Sequence, residues 1–191
     1  MILFINACVR KDSRTKRLAD FVIKQLLEKD KTQTVEEVVL RDIDFSKTDE
    51  QFINKRDSLI DAEDFSNPMF MLANQFAQAD AVVVAAPYWD LSFPAMLKQY
   101  FEKICVRGVT FVYTESGAPK GLCRAGKLYY ISTSGGPFYE EDFGYGYIKK
   151  LALGYFGIGD FHLIKACSLD VVGADVEKIL SAAEQDALKE L

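Results

Sequence analysis

Histidine is nearly missing from this chain, with one in 191 residues. Cysteine occurs four times, at Cys8, Cys105, Cys123 and Cys167, and no two are spaced C-x-x-C. Zinc or iron–sulfur ligation therefore has no ligand set to work with, and no metal site is expected. Cysteines this few and scattered suit a reducing compartment better than a disulfide framework. No apolar run is long enough to span a bilayer. The N-terminus shows no charged leader followed by a long apolar stretch and a cleavage site. The expectation is a cytoplasmic protein with no membrane association. An excess of positive charge is absent as well: the formal net charge is −5, which argues against a general nucleic-acid or anionic-lipid surface.

What is present is apolar and periodic. The chain is 49% hydrophobic, enough for the full core of a single domain over residues 1–191. Short apolar runs punctuate it: "MILFIN" at the start, "TVEEVVL" at 34–40, "AVVVAAP" at 81–87, "KLYYIST" at 127–133 and "DFHLIKACSL" at 160–169. Each reads as a strand, the first of the kind found covered on both faces of a parallel sheet and 81–87 the clearest buried run. Helical spacing lies between them, over 14–29, 67–79, 94–106, 146–157 and 174–190. In 94–106 the residues Leu97, Tyr100, Phe101, Ile104 and Cys105 share one face, and Pro94 suits the first turn. Residues 41–66 are charged and read as an irregular surface excursion; 109–126 reads as an extended loop. Strands alternating with helices predict an α/β doubly wound, five-stranded parallel sheet of order 2-1-3-4-5 with helices on both faces. Ligands of such sheets sit beyond the carboxyl ends of the strands, between the first and third.

Three loops meet there. The first, within "INACVRKDSRTKRLAD", crowds Arg10, Lys11, Arg14, Lys16 and Arg17 into an otherwise acidic chain. It opens a helix, whose first amides lack internal partners and carry partial positive charge. Ser13 and Thr15 add hydroxyls. The second, Pro87-Tyr88-Trp89-Asp90-Leu91, carries the only tryptophan, a surface for a flat ring. The third, Thr133-Ser134-Gly135-Gly136-Pro137-Phe138, has two glycines that permit close backbone approach to a ligand. Anion grip, aromatic wall and backbone ledge together suit a phosphorylated planar cofactor.

Over nearly its whole length the chain resembles the FMN-dependent NAD(P)H:quinone and azo-compound oxidoreductases of the flavodoxin-like superfamily. The most specific part is "APYWDLSFPAMLKQYFEKICVRGVTFVYTESGAPKGLCRAGKLYYISTSGG", residues 86–136. It follows the family pattern A-P-x-[YW]-N-F, then L-K-x-Y-F-D, G-V-T-F-x-Y-T-x-x-G and S-x-G-G. "SRT" at 13–15 matches the phosphate-binding Ser-x-[ST]. The resemblance implies non-covalent FMN, one per subunit, with phosphate contacts at Ser13, Arg14 and Thr15; the charge of the loop itself makes Arg10 a further candidate. It implies ring contacts at Pro87, Tyr88, Trp89, Asp90, Leu91, Thr133, Ser134, Gly135, Gly136 and Phe138. It further implies NADH or NADPH as donor, small planar acceptors such as quinones or azo compounds, ping-pong kinetics and a homodimer. Asp90 stands where Asn is usual, Phe138 where His is frequent, and Cys8 and Arg10 where a second Ser is common. No side chain is assigned a catalytic role.

Two other readings compete. Cys8 and Arg14 fit C-x5-R-[ST], the signature of low-molecular-weight tyrosine phosphatases, in which Cys8 would be a thiolate nucleophile. Against this, "VRKDS" has no glycine, Asp12 would sit in the dianion pocket, and no Asp-Pro general acid occurs in the chain. A flavodoxin-type electron carrier is the second; such carriers are strongly acidic, and a charge of −5 is modest.

Overall fold

A computed structural model describes residues 1–191. Five parallel strands form the central sheet: β1 (Ile2–Asn6), β2 (Val35–Val39), β3 (Ala81–Ala85), β6 (Lys127–Thr133) and β7 (Asp160–Ala166). Their order is β2-β1-β3-β6-β7, the 2-1-3-4-5 arrangement expected. Two further strands, β4 (Phe111–Tyr113) and β5 (Pro119–Gly121), pair antiparallel outside it. The helices are α1 (Arg14–Lys29), α2 (Glu50–Asp61), α3 (Met71–Gln78), α4 (Ala95–Ile104), α5 (Tyr145–Leu151) and α6 (Val176–Glu190).

The period of two in the strands sorts the core into halves. Leu3, Ile5, Val82, Val84, Leu128 and Tyr130 face α3, α4 and α5. Ile2, Phe4, Val83, Ala85, Tyr129 and Ile131 face α1 and α6. The central strands β1 and β3 are buried on both faces while edge strand β2 is largely exposed, which is why the inner strands read as unbroken apolar runs.

Two expectations need correction. Residues 41–66 are not irregular throughout: α2 occupies Glu50–Asp61, capped by Asp49, whose carboxylate accepts from the Phe52 amide at 3.0 Å. Its one fully buried residue is Ile60; Phe52, Ile53 and Leu59 are half-buried on the same face, a stripe interrupted by Arg56. The helix expected over 146–157 also changes geometry. It is α-helical to Leu151, then winds as a π turn over Ala152–Phe156 and ends at Gly157 with φ +76°. The backbone of Gly157 and Phe156 lies against Gly121 so closely that a Cβ at 121 would collide with it. That contact fastens the β4–β5 hairpin to the domain. No helix is long and apolar enough to cross a membrane.

Candidate cofactor site at the carboxyl edge of the sheet

The register carries β6 past its neighbours. Asn6, Ala85 and Ile131 lie abreast, whereas β6 and β7 stay paired to Thr133 and Ala166. The loops beyond these ends enclose a cavity of about 230 Å³.

Its first wall is the β1–α1 loop. Buried Asn6 shapes it: the side chain accepts from the Cys8 amide at 2.9 Å and donates to Glu37 at 2.8 Å. Arg41 donates to the Val9 carbonyl at 3.2 Å. Ser13 caps α1, accepting from the Lys16 amide at 3.3 Å. The amides of Arg14 and Thr15 have no acceptor in the protein, as the first turn of a helix requires. Thr15 is buried, its hydroxyl 2.6 Å from that of Thr133. That pair joins the helix start to the β6 end. Arg10 is exposed and forms no ion pair.

The second wall follows β3. Trp89 and Ser92 exchange amide–carbonyl bonds at 3.1 and 2.7 Å, closing a tight turn. Asp90 and Leu91 sit at its tip with φ +50° and +68°. Positive φ at both tip residues is the primed hairpin geometry, normally given to Asn or Gly; a leucine there is strained. Tyr88 stacks on Tyr139 with centroids 4.6 Å apart, and its hydroxyl accepts from the Glu140 amide at 3.0 Å. Ser92 donates to the Phe143 carbonyl at 2.8 Å. The 138–143 segment thus flanks the turn. The third wall is Thr133-Ser134-Gly135, where the amides of Gly135 and Gly136 are free of protein acceptors.

Arg10, Ser13, Arg14, Thr15, Pro87, Tyr88, Trp89, Thr133, Ser134 and Gly135 all line this one cavity. Asp90, Leu91, Gly136 and Phe138 do not; they lie outside its wall. Four further residues line it: Val9, Asp12, Leu169 and Asp170. Asp12 was legible as an intruder in a basic loop. Leu169 and Asp170 follow β7 and carry no motif; only the β6–β7 register brings them in.

Cys8 does not line the cavity. It is 2% exposed, within the core face of α1 and α6, its thiol turned toward the Ala85 carbonyl at 3.8 Å. Burial pushes the thiol pKa up, the opposite of what a thiolate nucleophile needs. The phosphatase alternative loses its nucleophile on both counts.

A family model described as a flavodoxin-like fold matches residues 1–191. The chain is 37% identical over 198 residues to an FMN-dependent NADH:quinone oxidoreductase of Coprothermobacter proteolyticus, an alignment covering 97% of this chain and 95% of that one. It is 51% identical over 113 residues to FMN-dependent NADH:quinone oxidoreductase 2 of Clostridium acetobutylicum, where the match spans 56% of each chain. Among solved structures it is similar to an azoreductase from Bacillus anthracis, with a TM-score of 0.83 at 25% identity, covering 98% of this chain and 96% of that one.

Proposed function

Because the chain belongs to the flavodoxin-like family of FMN-dependent NADH:quinone oxidoreductases and azoreductases, we propose that its cavity seats FMN with the phosphate at the α1 end and the ring at the Trp89 end. The observation that carries this reading is the union, in one cavity, of two unpartnered helix-start amides with an exposed tryptophan face. The residues fit such a group. A dianion suits the free amides of Arg14 and Thr15, the Ser13 hydroxyl and the unpaired Arg10 guanidinium. A flat ring suits Pro87, Tyr88 and Trp89 on one side. The free amide of Gly135 suits its polar edge from the other.

FMN, when bound, supplies the two-electron hydride chemistry for which no side chain here is equipped. The chain's part is to bind, orient and exclude water. Amides at the glycine ledge would stabilise negative charge on a bound ring without having to reorganise. Donor and acceptor share one opening, so they use it by turns, and parallel double-reciprocal plots are expected. The acceptors are flat quinones or azo compounds, for which Trp89 in the cavity wall offers an aromatic face. The donor is NADH.

A second copy of the chain completes the site in this reading. The cavity of one chain is smaller than the roughly 300–1,000 Å³ usual for small-molecule sites. Phe138 is 64% exposed and Phe143 60%; apolar surface of this kind beside a site is typical of an interface. The β4–β5 hairpin offers more, with Tyr113 and Leu122 exposed. All four cysteines are unpaired, in keeping with a reducing cytoplasm.

The test is a visible spectrum of the purified protein, followed by anaerobic addition of NADH and NADPH in separate cuvettes. The expected outcome is a bound flavin bleached rapidly by NADH. Absence of flavin that added FMN does not restore would remove the cofactor assignment. Flavin that stays oxidised with both donors would favour a carrier instead.

A further inference from the structure

The side chain of Arg14 is already engaged. Its Nη1 donates to the Leu169 carbonyl at 3.0 Å and to Asp170 Oδ1 at 2.7 Å. Both acceptors belong to the turn after β7, in which Ser168 holds φ +68°. That turn is laced to the β6 ledge: the amides of Ser168, Leu169 and Asp170 donate to the carbonyls of Gly136, Ser134 and Gly135 at 2.9, 3.2 and 2.9 Å. The Asp170 carboxylate lies so near the ledge that a Cβ on Gly135 would collide with it. Arg14, the first residue of α1, therefore ties the helix start to the β6 and β7 loops across the cavity.

Charge decides what that arrangement is for. Asp170 lines the cavity and matches the Arg14 charge at ion-pair distance. A phosphate dianion competing for Arg14 would have to displace that carboxylate, then tolerate it alongside. Arg10 carries no such partner, and the amides of Arg14 and Thr15 are free. The anion therefore has a full set of donors without the Arg14 guanidinium.

We propose that Arg14 and Asp170 are positioning residues: a clasp that fixes the Ser134–Gly136 ledge against the ring end of the flavin, leaving the phosphate to Ser13, Arg10 and the amides that open α1. The proposal rests on the reading of this cavity as an FMN site.

The test titrates flavin-stripped full-length protein with FMN and with riboflavin, which lacks the phosphate. Wild type, Arg14→Gln, Asp170→Ala and the double variant are compared, with thermal unfolding followed alongside. A clasp predicts that each single substitution weakens both flavins by the same factor, about threefold to tenfold for a half-exposed pair. The double variant then binds no worse than the weaker single. At saturating FMN the absorption envelope of the bound flavin changes in all three, a signature that lower fold stability alone would not produce. Asp170→Ala that tightens FMN and leaves riboflavin alone would overturn the proposal, since it would mean a freed Arg14 reaches the phosphate. Arg14→Gln that weakens FMN alone would do the same. If Arg14→Gln does not fold, the direction of the Asp170→Ala effect on FMN decides. Wild type that binds neither flavin would remove the FMN reading and the clasp with it. Wild type that binds both, with the variants unchanged, would remove only the clasp.

Discussion

The two ends of the cavity are built by different means. At the α1 end nearly every group is pinned: Asn6 holds the loop, Ser13 caps the helix, Thr15 bonds Thr133, and Arg14 is tied to Asp170. These are short contacts between elements whose places the sheet dictates. At the Trp89 end the chain is exposed and strained. Leu91 is held at positive φ with its side chain in solvent, and Phe138 and Phe143 project outward. The pinned end offers what any phosphate would need, a donor set that costs little to organise. The exposed end is where shape and chemistry vary without cost to the core. In the proposed reading, grip and selectivity divide between a pinned helix start and an exposed, strained turn.

The largest effect that could break this division comes from Ser13→Asp. Aspartate caps a helix as well as serine does, so the melting temperature should hold. The added carboxylate faces the phosphate, and FMN affinity should fall by about a hundredfold, as like charges a few ångströms apart near a surface require. Calorimetric titration checks it; unchanged affinity would mean that the anion lies elsewhere.

Trp89→Ala acts on the other end. Loss of one aromatic face should raise the KM for a quinone acceptor roughly tenfold while leaving discrimination between FMN and riboflavin intact. Steady-state kinetics and flavin titration separate the two ends. A smaller and opposite effect is expected for Leu91→Gly. Relief of the positive φ should raise stability by about 0.5–1 kcal/mol, read as a higher melting temperature.

The smallest effect concerns pH. Burial pushes the Cys8 thiol and the Tyr139 phenol up, and it holds Cys105 at about 11 and Cys123 at about 12. All four are neutral in the fold and ionise sooner in the unfolded chain. Their contribution is fully present below pH 9 and is lost progressively as pH rises through about 9–12. Melting temperature should therefore decline above pH 9, and less steeply in Cys8→Ala. Rapid alkylation of native Cys8 at pH 8 would contradict its placement in the core.

Much of the fold could be read from the sequence because buried parallel strands and amphipathic helices leave strong periodic marks. Ile2–Asn6, Ala81–Ala85 and the Leu97–Tyr100–Phe101–Ile104 stripe are examples. Helix α2 leaves a weaker mark, since its half-buried face of Phe52, Ile53 and Leu59 is broken by Arg56 and only Ile60 is fully buried. The β4–β5 hairpin was too short for alternation to register. Local chemistry and position coincide at Ser13, Thr15, Trp89 and Gly135, which makes them candidates from sequence alone, and all four line the cavity. Asp170 is not such a candidate, because its place depends on how far β6 and β7 stay paired, a property of two strands together. The sequence reads Arg14 as a phosphate contact, and nothing local to it reveals a carboxylate partner 156 residues away.

The central claim is that the amides opening α1 grip the phosphate of a flavin. Parallel titrations of the flavin-stripped wild-type protein with FMN and riboflavin test it most directly. The account predicts one FMN per chain, bound at least tenfold more tightly than riboflavin, on the order expected for a charge-assisted phosphate contact. Equal affinity for the two flavins would contradict it.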